Sequence, residues 1–188
     1  MGQVHHSTSA FLSPEQAAEI VACLPPFCSS VLVTHLSRPE EVLPVLKTAN
    51  VTTLQLHGDT TPEEAVQIKR QLPLLKIYKA IHVFDESTTR DARRYSGSVD
   101  GIILDTAIRA TGQVGGTGKT HDWNISKSVV RSITLPVILA GGLDPENIVE
   151  ALRTVQPYGV DVNSGVSKPG GIKDHEKLRL FIARAKSH

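Results

Sequence analysis

Residues suited to proton transfer or to phosphate binding stand directly behind short apolar runs of this sequence. Aspartate and histidine can give or take protons, and glycine with serine can present backbone N–H groups to a phosphate. The residues in question are His35, His57, Gly58, Asp59, His82, Asp105, Gly141, Gly142, Asp161, Ser164 and Gly165. The turns "AGG" and "NSG", followed by the helix start "PGGIKD", predict a phosphate site on backbone N–H groups.

The glycine-rich run "ATGQVGGTGKTHDW", residues 110–123, raises the question of a nucleotide-binding P-loop. That motif places a glycine five positions before the glycine of its Gly-Lys pair and opens a helix at the lysine. Counting back from Gly118 reaches Gln113, and the next helical pattern starts only after Trp123. The spacing therefore argues against a P-loop, and a nucleotide hydrolase is the least favoured alternative.

The elements that must position these residues follow an alternating pattern from residue 30 onward. Six β-rich runs, among them "SSVLVTH", "LKIYKAIHVF" and "VDGIILDT", are separated by amphipathic segments of helical length. Prolines after capping residues predict helix starts at Ser13-Pro14, Thr61-Pro62 and Asp144-Pro145. The apolar runs predict a parallel sheet covered on both faces. Polar residues behind all six strands favour a closed (β/α)₈ barrel over an open doubly wound sheet, because all strand ends of a barrel share one mouth.

Length and composition narrow the classes of function. A chain of 188 residues with 40% hydrophobic content is expected to form one domain, residues 1–188. A formal net charge of +1 without blocks of like charge gives no reason to expect nucleic acid as a partner, and no run is long enough to predict a membrane span. Cys23 and Cys28 have neither metal-site spacing nor a secretory context, so we expect reduced thiols in a cytoplasmic protein.

Four motifs in order, "LQLHGD", "ILDTAIRATGQVGGTGKTHDW", "LPVILAGGLDPENI" and "GVDVNSGVSKPGGIKD", resemble phosphoribosylanthranilate isomerases of tryptophan biosynthesis. "SPEQAAEIVACLPPF" is similar to that family's second helix, so the likeness runs from residue 13 to residue 186. The resemblance implies a TIM-barrel type (β/α)₈ fold. It also implies an Amadori rearrangement, which converts an aminoaldose of ribose phosphate into an aminoketose without metal or cofactor.

The resemblance implies a role for each matching residue. Asp105 would be the general acid that protonates the furanose oxygen, and it must then hold a proton near neutral pH. His57, Gly116 and Asp161 would contact the substrate. The phosphate would be bound by Gly141, Gly142, Ser164 and Gly165. Asn163 stands where the family often has serine. Taken alone, the histidine could equally be a core residue. Asp105 could instead cap a loop, and the glycines could serve tight turns as well as a phosphate.

The start of the sequence departs from the family pattern. The family's first strand carries a "KxCG" motif whose cysteine is the general base, and no such motif stands ahead of residue 13. We therefore expect a barrel shortened by its first strand, its first helix and part of its second strand. His5 or His6 could substitute as the base, although an incidental polar start is the simpler interpretation. Exposed strand edges predict a homo-oligomer, a rearranged N-terminus or poor solubility. Impaired catalysis leaves open a catalytically silent module that binds a phosphorylated ligand or a partner.

Overall fold

The computed structural model describes residues 12–108, 113–114 and 120–187. These fall into two compact units. The first comprises the described residues up to Ala80 together with Gly97–Asp100, and the second comprises Ile81–Ser96 and the described residues from Gly101 onward. Among the described residues, no helix has the length and apolar character needed to cross a membrane.

The first unit contains three parallel strands and three helices. Helices α1 (Pro14–Ala22), α2 (Pro39–Ala49) and α3 (Pro62–Gln71) alternate with strands β1 (Val31–Thr34), β2 (Thr53–Leu56) and the start of β3 (Lys76–Val83). Strand β2 pairs in parallel with β1 on one side and with β3 on the other. Helix α2 packs against both α1 and α3. The fully buried core of this unit includes Leu54, Leu56, Ile68 and Ile77.

The second unit repeats the same alternation. It begins within β3 and continues through α4 (Ser87–Arg93), β4 (Gly101–Ile108), β5 (Gln113–Val114), α5 (Trp123–Ser132), β6 (Val137–Leu139), α6 (Ile148–Val155), β7 (Gly159–Val160) and α7 (His175–Lys186). Strand β6 pairs in parallel with β4 and with β7, whereas β5 pairs antiparallel with the end of β4. Successive helices from α4 to α7 pack against one another. Buried aliphatic residues of β4, β6 and α6 form its core.

Two of the three predicted proline helix starts are confirmed. Ser13 and Thr61 each cap their helix through the side-chain oxygen, and Gln16 and Glu64 complete a reciprocal capping box. The prediction at Asp144-Pro145 is wrong, because α6 begins only at Ile148. The Asp144 carboxylate accepts hydrogen bonds from the N–H groups of Glu146 and Asn147, which closes a turn in place of a first helical turn.

Two further expectations need correction. Strand β1 is not covered on both faces, since Val31 and Val33 are 53% and 54% exposed. His82 lies inside β3 rather than behind it.

Helix α5 begins at Trp123, with Asp122 as its capping residue, which agrees with the argument against a P-loop. Cys23 and Cys28 are free and exposed thiols.

Candidate active site

Asp105 lies on β4 at the point where the parallel pairing with β6 stops. The ladder joins Ile102–Leu104 to Val137–Leu139, and the N–H of Ala140 donates to the Leu104 carbonyl over 2.8 Å. Asp105 is therefore the first residue of β4 beyond its parallel pairing with β6. Its carboxylate Oδ1 accepts a hydrogen bond of 2.7 Å from the N–H of Thr106.

The surroundings of Asp105 favour its protonated form. Burial raises the pKa of the Asp105 carboxyl and the negative charge of Asp161 raises it further, while the Thr106 N–H opposes both. Asp161 follows β7 directly, and its own N–H donates to the Leu139 carbonyl over 2.9 Å. Although Asp161 is exposed as a residue, loss of hydration at its carboxyl is the main cause that raises its pKa, against the Lys173 ammonium and the Val162 N–H. Two nearby carboxyl groups of this kind can divide the roles of proton donor and anion.

The turn after β6 packs so closely on Asp105 that only glycine fits. Gly141 has φ 83°, and a Cβ built there would lie 2.3 Å from Thr106 Oγ1, 2.5 Å from Thr106 N and 2.9 Å from Asp105 Oδ1. The predicted acid and the first predicted phosphate-site glycine are thus neighbours.

Three of the four residues predicted to hold the phosphate line one open cleft. Gly142, Ser164 and Gly165 border a cavity of about 270 Å³. Its remaining lining residues are Asp144, Glu146 and Lys177. Ser164 begins a short 3₁₀ helix, Ser164–Val166, whose N-terminal N–H groups suit an anion. Gly165 cannot carry a side chain, because a Cβ would stand 1.9 Å from the Leu143 carbonyl oxygen.

Lys173 holds the loop that contains this short helix. Its ammonium donates to the backbone carbonyl of Asn163 over 2.9 Å, to Asn163 Oδ1, and to Ser167 Oγ over 3.0 Å. The residue that departs from the family pattern is therefore part of this clamp. The same ammonium lowers the pKa of Asp161, so it connects the loop to the candidate acid pair.

In the first unit, His57 follows β2, and its N–H donates to the Thr34 carbonyl over 2.8 Å. Its ring meets that of His35 edge to face with centroids 4.8 Å apart, and Gln55 Nε2 stands 3.4 Å from its Nδ1. The next residue, Gly58, packs on the His35 carbonyl, since a Cβ would lie 2.4 Å from that oxygen. Close packing of two strand ends fixes the backbone on both sides of His57.

A lysine that the sequence analysis missed stabilises this strand end. Lys79 is 7% exposed, and its Nζ donates to the carbonyls of Gly58 and Ala80 over 2.8 and 2.7 Å, with Leu56 O at 3.5 Å. Burial lowers the pKa of Lys79 to about 8, and the negative charge of Asp59 opposes that shift. An ammonium in this position has no lone pair for proton abstraction. The available signal was its place between Ile77 and Ile81 in the β-rich run "LKIYKAIHVF", because lysine is rarely buried without partners.

Gly116, predicted to contact the substrate, lies outside the described residues, as do His5, His6 and Lys119. Within the second unit the structure brings together Asp105, Asp161, Gly141, Gly142, Ser164 and Gly165. His57 belongs to the first unit.

Helices alternating with parallel strands, and a buried carboxyl beside a glycine-rich cleft, are typical of a (β/α)-barrel enzyme that acts on a phosphorylated small molecule. The family profile described as N-(5'-phosphoribosyl)anthranilate (PRA) isomerase matches residues 2–184. The chain therefore belongs to the N-(5'-phosphoribosyl)anthranilate isomerase family, and the resemblance read from the motifs is confirmed.

Individual relatives agree with this assignment. The chain is 41% identical to N-(5'-phosphoribosyl)anthranilate isomerase 2 of Methanosarcina mazei, over 97% of this chain and 80% of that protein. It superimposes on the phosphoribosyl anthranilate isomerase of Thermotoga maritima with a TM-score of 0.82 at 35% identity, covering 95% of this chain and 82% of that one. A third structure, of a phosphoribosyl anthranilate isomerase in complex with reduced 1-(o-carboxyphenylamino)-1-deoxyribulose 5-phosphate, has a TM-score of 0.79 at 32% identity, covering 95% and 81%. The α/β fold of TIM-barrel type is thereby confirmed.

Proposed function

We propose that this chain catalyses the Amadori rearrangement of N-(5-phosphoribosyl)anthranilate to the carboxyphenylamino-deoxyribulose phosphate in tryptophan biosynthesis, with Asp105 as the general acid. The role of Asp105 rests on one observation: burial and the negative charge of Asp161 raise the pKa of its carboxyl and so favour the protonated form. The turn that packs on this carboxyl continues into Gly142, which lines the cleft together with Ser164. A general acid works best when its pKa is close to the working pH.

The proposed chemistry is an isomerisation and needs no external oxidant. Asp105 donates its proton to the furanose ring oxygen, the C1′–O bond breaks, and the anilino nitrogen supplies the electron pair that forms the iminium. A base then removes the proton from C2′, which gives the enolamine and, after tautomerisation, the aminoketose. Protonating the leaving oxygen lowers the barrier to ring opening, an effect typically worth roughly 10² to 10⁴ in rate.

The phosphate is proposed to lie in the cleft behind β6 and β7. Backbone N–H groups at Gly142, Ser164 and Gly165 would bind its oxygens, and Lys177 at the rim adds positive charge. Asp144 and Glu146 at the same rim carry negative charge, although Oδ1 of Asp144 is occupied by the turn before α6. His57, Gly116 and Asp161 are proposed to contact the rest of the substrate.

The test follows the loss of anthranilate-type fluorescence when the purified chain meets substrate generated from anthranilate and phosphoribosyl pyrophosphate. Turnover that falls at least 10²-fold in Asp105→Asn supports the proposal. Turnover that survives this substitution refutes Asp105 as the acid. Lys47→Met, an exposed substitution in α2, serves as the matched control and is expected to keep full activity.

A catalytically silent module that binds phosphorylated ligands is the second candidate. It is favoured by the cleft, whose lining residues all belong to the second unit. The two candidates separate in one experiment: a ribose-phosphate ligand that raises the melting temperature while no product forms supports the module, and product formation supports the enzyme.

A homo-oligomer through an exposed strand edge and a cytoplasmic location are further parts of the proposal. Strand β1 stands at the end of the strand order among the described residues and exposes Val31 and Val33. Such an edge favours pairing with a second chain. Sedimentation of the native chain and of Val33→Lys tests the homo-oligomer, with a smaller species expected for the variant.

A cytoplasmic location is proposed because phosphorylated biosynthetic intermediates are retained there.

A further inference from the structure

His121 joins two buried hydroxyl groups of the second unit that the proposed mechanism does not use. Its Nδ1 lies 2.9 Å from Thr106 Oγ1 on β4, and its Nε2 lies 2.6 Å from Ser126 Oγ on α5. Thr106 is 4% exposed and Ser126 is fully buried. Both ring nitrogens are therefore engaged with side chains of two different elements.

This arrangement suits a neutral ring. A neutral imidazole has one N–H donor and one acceptor nitrogen, and each hydroxyl can donate or accept, so either tautomer satisfies all three groups. Burial lowers the pKa of His121 to about 4, and the negative charge of Asp122 only partly offsets it. At neutral pH the ring thus carries no charge and no surplus proton.

Thr106 connects the His121 ring to the proposed acid, Asp105. Its N–H donates to Asp105 Oδ1 over 2.7 Å, and its Oγ1, N and the Asp105 Oδ1 surround the space where Gly141 has no side chain. With so little free space, a rotation or displacement of Thr106 must also move the carboxyl group or the Gly141 turn. His121 holds the hydroxyl of Thr106 from the side of α5.

We propose that His121 is a positioning residue: through its Nδ1 contact with Thr106 it fixes the Asp105 carboxyl, while its Nε2 contact with Ser126 anchors the ring to α5. This inference rests on the proposed function, in which Asp105 is the acid. The contact also ties β4 to the residue just before Asp122, the capping residue of α5.

Two conservative substitutions separate the two contacts. The side-chain amide of His121→Asn reaches the place of Nδ1 and can keep the bond to Thr106, whereas that of His121→Gln reaches the place of Nε2 and can keep the bond to Ser126. His121→Phe removes both while keeping an aromatic ring. Melting temperatures and circular dichroism test whether each variant is folded. If the phenylalanine variant is not, the comparison of the asparagine and glutamine variants decides between the proposal and its refutation.

The expected result is an asymmetry in kcat. The glutamine and phenylalanine variants should lose roughly 10- to 100-fold in kcat with little change in KM, because a displaced catalytic group slows chemistry without weakening substrate binding. The asparagine variant should stay within about threefold of the native chain. Equal losses in the asparagine and glutamine variants overturn the proposal, as does an unchanged kcat in glutamine and phenylalanine variants that fold.

A second readout does not depend on turnover. The pKa of Asp105, followed by carbon-13 NMR of the carboxyl group, should rise in the glutamine and phenylalanine variants, because a displaced Thr106 N–H no longer stabilises the carboxylate. It should remain native in the asparagine variant, and an identical pKa in all four chains overturns the inference. A native chain without isomerase activity would refute the proposed function alone, since this titration would still report on His121.

Discussion

Replacing Lys79 with methionine should remove a rise in stability that the native chain is expected to show at alkaline pH. Burial lowers the pKa of Lys79 to about 8 from an ordinary value of 10.5. Between these values the folded chain has lost the proton while the unfolded chain keeps it, so the unfolded state binds more protons and the free energy of unfolding increases with pH. Below about pH 8 both states are protonated, and the cost of burying the ammonium is fully present.

The magnitude follows from the two pKa values. A difference between 10.5 and about 8, at about 1.4 kcal/mol for each pH unit, corresponds to about 3 kcal/mol. Solvent screening reduces this free-energy difference only slightly, because Lys79 is only 7% exposed. Methionine also leaves the carbonyls of Gly58 and Ala80 without their ammonium donor, which costs about 1–3 kcal/mol for each unsatisfied group. That second cost is the same at every pH, so it lowers the stability of the variant without creating a slope.

Urea denaturation followed by circular dichroism, at several pH values from about 7 to 10.5 and with a reductant for the two free thiols, measures this effect. The quantity to compare is the native stability minus that of Lys79→Met, in which all other titrating groups cancel. It should grow by about 3 kcal/mol across the range. Lys47→Met controls for the loss of an exposed positive charge and should keep the native slope. Parallel curves for the native chain and Lys79→Met would refute the reasoning, because the ammonium would then be as well solvated in the folded state as in the unfolded one.

Two further predictions concern the candidate acid and the turn beside it. Asp161→Asn removes a charge that raises the pKa of Asp105, so the high-pH limb of the kcat profile should move to lower pH, and a limb that stays in place would contradict the proposed pair. Gly141→Ala places a Cβ 2.5 Å from a backbone nitrogen at φ 83° and should lower both the melting temperature and the activity strongly. Gly97→Ala has a similar φ of 85° with nothing within 4 Å, so it should cost only about 1–2 kcal/mol, and equal losses at the two positions would show that steric contact is irrelevant.

The parts of the fold that the sequence predicts are those set by local chemistry. Ser13 and Thr61 stand before proline and are followed three residues later by Gln16 and Glu64, which is the complete pattern of a capping box. Asp144-Pro145 shows the same beginning, yet Asn147 closes the turn by accepting the N–H of Asp144 and donating to the Gly142 carbonyl. The Asn147 side chain thus bonds backbone groups of this turn, and α6 does not begin at Pro145. A two-residue pattern such as Asp-Pro does not reveal this competition between side chain and helix.

The candidate site divides in the same way. The places of Asp105, Asp161 and the glycines of the proposed phosphate site behind strands can be predicted, because these residues follow apolar runs and match ordered motifs. The roles of Lys79 and His121 cannot, since they depend on partners from other elements: the Gly58 carbonyl behind β2 for the lysine, and Thr106 on β4 for the histidine. A sequence gives residue types but not the buried oxygens that a folded chain presents to them.

The causes that set the proton affinity of Asp105 all lie in the second unit. Burial, the charge of Asp161 and the Thr106 N–H account for the shift, and His121 holds Thr106 from the same unit. His57 and Lys79 both lie in the first unit, Lys79 on the part of β3 that belongs to it. Substitutions in the first unit that disturb substrate contacts should therefore change KM or kcat while the limb assigned to Asp105 stays in place. Asp161→Asn, His121→Gln and His121→Phe should move that limb, because they change the charge or the hydrogen bonding around the Asp105 carboxyl.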